Sequence, residues 1–300
     1  MVERRIPITT GAGEFTVWTR EHGSNPRIAL LLLHGGPGAS AEYFEGLVDD
    51  LTAAGIAVIE YDQLGSVRSD QPDDVSLWSL ERFVDEVEQV RVALGLDSSN
   101  FFILGHSWGG LLGIEYALAH GDKLKGLIVS NMMSSIPEYN RYANEVFMPA
   151  MDQDALARIK ELETTGQSSL PEYEELLMEH HYVHHVLRIP ADQWPEPVTR
   201  SFGNINQTIY VLMQGPSELG ASGLLVDWDR FDDLARIDVP TLVVSAEHDT
   251  MAPDHMRSMA DALPNGQLLH CPSGSHMAMW DDREVYTRGV LDFLLAVDRA

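Results

Sequence analysis

A single serine stands between glycines in the segment GHSWG, which spans residues 105–109. The preceding FFIL is a short apolar run typical of a buried strand, and a helical pattern follows the segment. This arrangement fits the motif GxSxG, in which a sharp strand-to-helix turn lifts a serine hydroxyl above the end of a sheet. The glycines leave room for neighbouring backbone at that turn. We therefore interpret Ser107 as a candidate nucleophile.

A serine hydroxyl is a weak nucleophile at neutral pH, so it requires a base whose orientation a carboxylate can fix. In chains with this motif the partners follow in the order serine, acid, histidine. Asp249 comes directly after a strand-like run at 241–246, and His276 follows the strand-like segment QLLHC. We expect Asp249 to orient His276 and His276 to transfer protons for Ser107.

Other histidines and aspartates in this part of the chain are weaker candidates. His270 lies inside a strand pattern and His255 inside a predicted helix, where structural or solvated roles are favoured. A third is adjacent to Asp249 and could point away from Ser107. The competing aspartates open a predicted helix or precede a strand. These competing positions are His248, His255, His270, Asp238 and Asp254.

Acyl transfer also requires N–H groups that stabilise a developing oxyanion. The segment HGGPG follows a predicted strand at 28–33, the place where one such donor is found in enzymes with this motif, and the residue after the nucleophile supplies the other. We expect the backbone N–H groups of Gly36 and Trp108 to form this oxyanion hole. The alternative is that HGGPG forms only a flexible turn.

The elements that must position these residues alternate along the chain. Apolar residues at helical spacing between 80 and 94 separate strand patterns, whereas 131–230 contains helical patterns only. There Ser169, Leu170, Pro171 and Glu172 form a predicted capping box that opens a helix continuing toward Arg188. The strand patterns lie at 14–19, 28–33, 55–61, 101–104, 127–129, 241–246 and 267–271.

This alternation predicts an α/β fold with a mostly parallel sheet and helices on both of its faces. We expect residues 1–130 to form the first part of an α/β core and residues 231–300 its second part. Residues 131–230 then form a helical insertion between the two parts.

The composition narrows the choice of partners. Lys and Arg number 20 against 46 Asp and Glu, which gives a formal net charge of -26 at pH 7. Such a surface repels phosphate backbones and anionic lipids, so we expect neither nucleic acid nor a membrane as a partner. It favours a cationic ligand such as a free amine, unless the acidity serves only solubility. The N-terminus lacks an apolar signal stretch and Cys271 is the only cysteine, which together favour the cytoplasm.

Five segments in order, LLLHGGPG, YDQLG, GHSWGG, MQGPSELG and GSHMAMWDDRE, resemble the proline iminopeptidase family of serine peptidases. The resemblance extends from about residue 28 to the end of the chain. It implies an α/β-hydrolase core with a helical cap, no metal or other cofactor, and removal of N-terminal residues, preferentially proline, from short peptides. In relatives the glutamate of a GPxE motif binds the substrate α-amine, and Glu218 occupies that position here.

Two departures from the family pattern keep other functions open. Relatives often carry a second acid directly after the triad aspartate, where this chain has Thr250, and many have glycine in place of Val67. Amine recognition would then be weaker or shifted toward other amides and esters. An amino-acid amidase or a carboxylesterase is the first alternative, and a non-catalytic ligand receptor on the same fold is the second. Asp62 and Gln63 are retained, and we expect them to brace the active-site loops.

The segment EHHYVHH places histidines at a helical spacing that is compatible with zinc. Neither the glutamate of an HExxH motif nor a cysteine set accompanies it. We therefore interpret this segment as a solvated or pocket-lining helix of the insertion. Its histidines are His180, His181, His184 and His185.

Overall fold

The computed structural model describes residues 1–299. Within that range one eight-stranded sheet runs in the order β1-β2-β4-β3-β5-β6-β7-β8 from edge to edge. Its strands are β1 (Val2–Thr10), β2 (Gly13–His22), β3 (Ala29–Leu33), β4 (Ala57–Asp62), β5 (Phe101–His106), β6 (Gly126–Ser130), β7 (Thr241–Ala246) and β8 (Gly266–Cys271). β1 and β2 form an antiparallel hairpin, β2 pairs antiparallel with β4, and the other neighbours are parallel. The predicted mostly parallel sheet is confirmed.

Helices connect the strands and cover both faces of the sheet. Before β6 they are α1 (Glu45–Ala53), α2 (Leu80–Leu94) and α3 (Trp108–His120). Between β6 and β7 they are α4 (Ile136–Tyr142), α5 (Met148–Ala150), α6 (Gln153–Thr164), α7 (Pro171–Leu177), α8 (Val183–His185), α9 (Glu196–Gly203) and α10 (Gln207–Met213). After β7 they are α11 (Pro253–Ala262), α12 (Ala278–Asp281) and α13 (Arg283–Arg299). None of the helices within residues 1–299 has the length and mean hydropathy needed to cross a membrane.

The central strands are buried on both faces. In β3, Leu31 and Leu33 pack in one apolar cluster with residues of α2 and α3, whereas Leu30 and Leu32 pack in a second with residues of α1 and α13. Burial on both faces explains why this strand is a continuous apolar run rather than an alternating one.

The structure differs from the sequence-based expectation at two elements. β1 was not predicted, because only Ile6 and Ile8 of this edge strand are buried among exposed charged residues. The predicted capping box at Ser169 is wrong. Leu170 precedes the first turn of α7 without a side-chain capping bond, because Pro171 occupies the first helical position that proline favours.

Residues between β6 and β7 have a small apolar core of their own. It joins Ile159 and Leu162 of α6 with Tyr173 and Leu177 of α7, and Leu219 packs against them. This segment therefore packs internally as well as against the sheet.

Candidate active site

Ser107 lies between the last residue of β5 and the first residue of α3, with φ 55° and ψ -126°. A positive φ is uncommon for a residue with a side chain and marks a strained turn. The turn is also tightly packed: a Cβ atom on Gly105 would lie 2.0 Å from the Gly109 carbonyl oxygen, and one on Gly109 would lie 2.0 Å from that of Leu33. The two glycines of the GxSxG segment are therefore required by the packing of the turn itself.

The register of the sheet brings the loops that follow its strands to one edge. Leu33 of β3 pairs with Gly105 of β5, and Ser130 of β6 pairs with both His106 and Val244 of its neighbouring strands. Carboxyl ends of parallel strands that lie level in this way form the crevice in which open α/β sheets bind ligands. Ser107 follows β5 at this edge.

Asp249 and His276 follow β7 and β8, and their side chains are in direct contact. His276 Nδ1 lies 2.8 Å from Asp249 Oδ1, and both residues are buried. Burial by itself lowers the pKa of His276, but the charge and hydrogen bond of Asp249 outweigh it, so the pKa is raised above its ordinary value of 6.5. An imidazole with a raised pKa accepts a proton readily, as a general base must.

Asn131 is a residue of this site that the sequence analysis missed. Its Nδ2 donates to Asp249 Oδ2 at 2.7 Å and to the Ser275 carbonyl oxygen at 3.2 Å. It directly follows β6 and has φ 52°, a left-handed conformation that asparagine tolerates better than most residues. Its place just beyond a buried parallel strand is the signal that could have identified it.

Thr250 lies against the same pair of residues. Its Oγ1 donates to Asp249 Oδ1 at 3.3 Å and lies 3.3 Å from His276 Nδ1. The side chain is fully buried. The residue that replaces the second acid of many relatives therefore contacts the Asp249 carboxylate.

Gly36 and Trp108 lie beside Ser107 around a small cavity of about 10 Å³, which is room for roughly one water molecule. Gly36 has φ +110°, and a Cβ atom there would lie 2.8 Å from the backbone nitrogens of the two residues at 38 and 39. The Trp108 N–H is the first of α3, so it has no acceptor within the helix. Both predicted oxyanion donors thus border the cavity that Ser107 lines.

Hydrogen bonds fix the loop that carries Gly36. The Gln63 amide donates to the His34 carbonyl oxygen at 3.1 Å and accepts from the Trp108 indole N–H at 2.8 Å. Asp62 accepts from the Ala41 N–H at 2.8 Å. These contacts hold the loop after β3 against the start of α3, as expected of residues that brace the site.

A second chain of hydrogen bonds joins this loop to His276. The Gly35 N–H donates to the Tyr43 hydroxyl oxygen at 2.6 Å, and that hydroxyl donates to His106 Nδ1 at 2.9 Å. His106 Nε2 then donates to the His276 carbonyl oxygen at 2.8 Å. Burial lowers the pKa of His106 to about 3, which keeps this imidazole neutral and its donor pattern fixed.

A larger cavity of about 580 Å³ extends from Ser107 and His276. Residues of α7, α9 and α10 form much of its wall, and Glu218 lines both this cavity and the small one. Glu218 Oε1 accepts a hydrogen bond from the Tyr210 hydroxyl at 2.6 Å. The Glu218 carbonyl oxygen accepts another from the Tyr139 hydroxyl at 2.6 Å, so both ends of the residue are held.

The histidine-rich segment makes backbone contacts near this cavity. His185 Nδ1 lies 3.0 Å from the His248 carbonyl oxygen, and His181 Nε2 lies 3.3 Å from that of Glu218. Across residues 1–299, no group of three or more His, Cys, Asp or Glu side chains is arranged to hold a metal ion.

The fold and the family comparisons define the class of protein: this chain is a hydrolase of the α/β-hydrolase fold. The family model described as alpha/beta hydrolase fold matches residues 28–283. The proline iminopeptidase of Flavobacterium johnsoniae is 48% identical over 96% of this chain and 97% of its own length, and that of Elizabethkingia meningoseptica is 48% identical over 98% of each chain. The chain belongs to the proline iminopeptidase family.

A solved structure extends the same likeness to three dimensions. The proline iminopeptidase of Mycobacterium smegmatis superposes with a TM-score of 0.86 at 28% identity and covers 99% of both chains. The predicted family and fold class are confirmed.

Proposed function

We propose that this protein is a serine aminopeptidase that releases N-terminal proline, or another small apolar residue, from short peptides. The observation that carries the proposal is that Ser107 and Glu218 both line the cavity of about 580 Å³. A nucleophile and a carboxylate on one cavity can engage the carbonyl carbon and the protonated amine of a single α-aminoacyl group. The activity named for the relatives at 48% identity supports the same function.

In this proposal the chemistry begins when Ser107 Oγ bonds to the substrate carbonyl carbon and its proton passes to His276 Nε2. The N–H groups of Gly36 and Trp108 stabilise the oxyanion that forms. The C–N bond then breaks as His276 returns the proton to the leaving amine. Water, deprotonated by His276, then attacks the acyl carbon. The bond from that carbon to Ser107 Oγ breaks, His276 returns the proton to Ser107 Oγ, and the N-terminal residue is released. Asp249 holds the His276 Nδ1–H throughout, consistent with their 2.8 Å separation.

We further propose that residues 131–230 form a cap over the core formed by residues 1–130 and 231–300. Support comes from the separate apolar core around Ile159 and Leu162 and from the helices that wall the cavity beside Ser107. In this arrangement the cap supplies Glu218 for the amine, and the sheet edge supplies the nucleophile and base.

The test compares release of p-nitroaniline from L-prolyl, L-alanyl and N-acetyl-L-prolyl p-nitroanilides, with p-nitrophenyl acetate alongside. We expect cleavage of the two free-amine anilides and almost none of the acetylated one, because acetylation removes the positive charge that Glu218 would bind. Ser107→Ala should abolish turnover. Glu218→Gln should lower kcat/KM for prolyl p-nitroanilide by about 10- to 100-fold, the range for losing a charge-assisted hydrogen bond of roughly 1.5–3 kcal/mol.

The ester and the acetylated anilide discriminate between the proposed function and its alternatives. Equal turnover of the acetylated and free-amine anilides would replace the aminopeptidase with a broader amidase. Activity on the ester alone would indicate a carboxylesterase. Failure of a fluorophosphonate probe to label Ser107 in folded protein would favour a non-catalytic receptor.

A further inference from the structure

The larger cavity exceeds what an N-terminal residue needs. An aminopeptidase accepts one residue on the acyl side of the scissile bond, and the amine that Glu218 would bind ends the substrate in that direction. The cavity of about 580 Å³ lies within the range of pockets that hold drug-sized ligands. Most of this space is therefore available to the leaving group.

The wall of this space is largely apolar. Trp194 and Phe202 line it as an edge-to-face pair with ring centroids 5.8 Å apart, and Leu177 and Val186 lie on the same wall. Two of the apolar residues that line the cavity are also exposed to solvent: Leu170 is 41% exposed and Val211 is 45% exposed. Exposed apolar side chains that continue a pocket favour binding of an apolar ligand group.

Apart from the proposed base His276, the charged side chains along the cavity are of one sign. Within residues 1–299 the side chains that line it include no lysine or arginine, whereas Glu218 and the exposed Glu174 do line it. A peptide of two residues would bring a free carboxylate into this space without a cationic partner, and like charges repel across it. An uncharged leaving group avoids this repulsion.

We propose that the leaving-group side of the site selects a bulky apolar amine that carries no free carboxylate. Suitable groups are an aryl amine, or a hydrophobic second residue whose carboxyl group is amidated or continues as a peptide bond. Glu174 is then a residue that determines specificity by excluding a carboxylate. This inference rests on the proposed aminopeptidase function.

The test measures kcat/KM for four substrates that share N-terminal L-proline: Pro-Phe-NH2, Pro-Phe, Pro-Gly-NH2 and Pro-Gly. We expect the phenylalanine amide to exceed the glycine amide by about 10-fold or more, since burying a large apolar side chain contributes roughly 1.5–3 kcal/mol. Each amide should exceed its free acid several-fold. Equal values for the two amides, or for acids and amides, would overturn the inference and leave the proposed function standing. Cleavage of none of the four would overturn both.

Charge reversal tests the role of Glu174 directly. We expect Glu174→Lys to raise the ratio of kcat/KM for Pro-Phe over Pro-Phe-NH2 by about 3- to 10-fold, because a repulsive charge becomes attractive. Glu175→Lys is the matched control, since Glu175 is also exposed on α7 but does not line the cavity, and it should change this ratio less than about 2-fold. Equal changes in both variants would show that only the net charge matters and would overturn the role of Glu174.

Discussion

At the scale of single residues, the Asp249 carboxylate depends on more than its contact with His276. It also accepts hydrogen bonds from the Asn131 amide and the Thr250 hydroxyl. A buried carboxylate needs several donors, because an unsatisfied oxygen keeps the full cost of its desolvation. Asn131 is thus placed to fix the carboxylate that orients the proposed base.

Replacing Asn131 tests this dependence. Asn131→Gly keeps access to the left-handed backbone but removes the donor, so we expect a loss of about 1–3 kcal/mol in the free energy of unfolding. The value of kcat should fall while KM changes little, because Asp249 contacts no substrate in the proposed mechanism. Asn131→Ala should cost roughly 1 kcal/mol more than the glycine variant, since it also strains the backbone. Urea unfolding and steady-state kinetics measure both effects, and wild-type stability in both variants would contradict the argument.

At the scale of elements, the position of Ser107 depends on how closely α3 packs onto β3. Gly109 in the first turn of α3 lies so near the Leu33 carbonyl that no side chain fits between them. By contrast, Gly121 follows the last residue of the same helix in open space and with a helical φ of -56°. The two ends of one helix therefore tolerate a methyl group very differently.

We expect Gly109→Ala to destabilise the fold by about 3 kcal/mol or more, because α3 would have to move away from β3. Activity should fall with stability, since that movement also displaces Ser107. Gly121→Ala should be neutral or stabilising by up to about 1 kcal/mol through the entropy of the unfolded chain. Thermal unfolding of both variants is the measurement. Similar melting temperatures for the two would rule out the proposed constraint.

The central strands of the sheet are predictable from the sequence, whereas its edge strand and loops are not. Continuous apolar runs were sufficient to predict β3, β5 and β7, because strands buried on both faces leave a strong signal. The edge strand β1 has few buried side chains and several exposed charged ones, so it lacks the apolar pattern from which strands are predicted. The helix start at Ser169 was misplaced because two capping rules conflict next to Pro171. The position of Asn131 just beyond β6 marks it as a candidate, but its contact with Asp249 depends on the pairing of β6 with β7, which no local pattern reveals.

At the scale of the whole molecule, the acidic surface dominates the electrostatics. With 46 acidic and only 20 basic residues, the chain carries a large excess of carboxylates. Mutual repulsion among them opposes the compact state, and dissolved salt screens it.

We therefore expect the melting temperature at neutral pH to rise by a few degrees when NaCl is increased from about 10 mM to 0.5 M, over which the screening length falls several-fold. Differential scanning calorimetry measures the shift. The shift should shrink as acidification protonates the carboxylates, which is the internal control. A melting temperature that stays constant or falls with added salt would mean that screened ion pairs outweigh the repulsion.

The hydrogen bond from His106 to the His276 carbonyl closes a loop of 170 residues along the chain. Loop closure on this scale is entropically costly and slow compared with local helix formation. During synthesis the turn that carries Ser107 therefore leaves the ribosome long before the last strand can pair. The proposed hydrolytic site cannot assemble until β8 has joined β7, so the growing chain carries an inactive nucleophile until its folding is nearly complete.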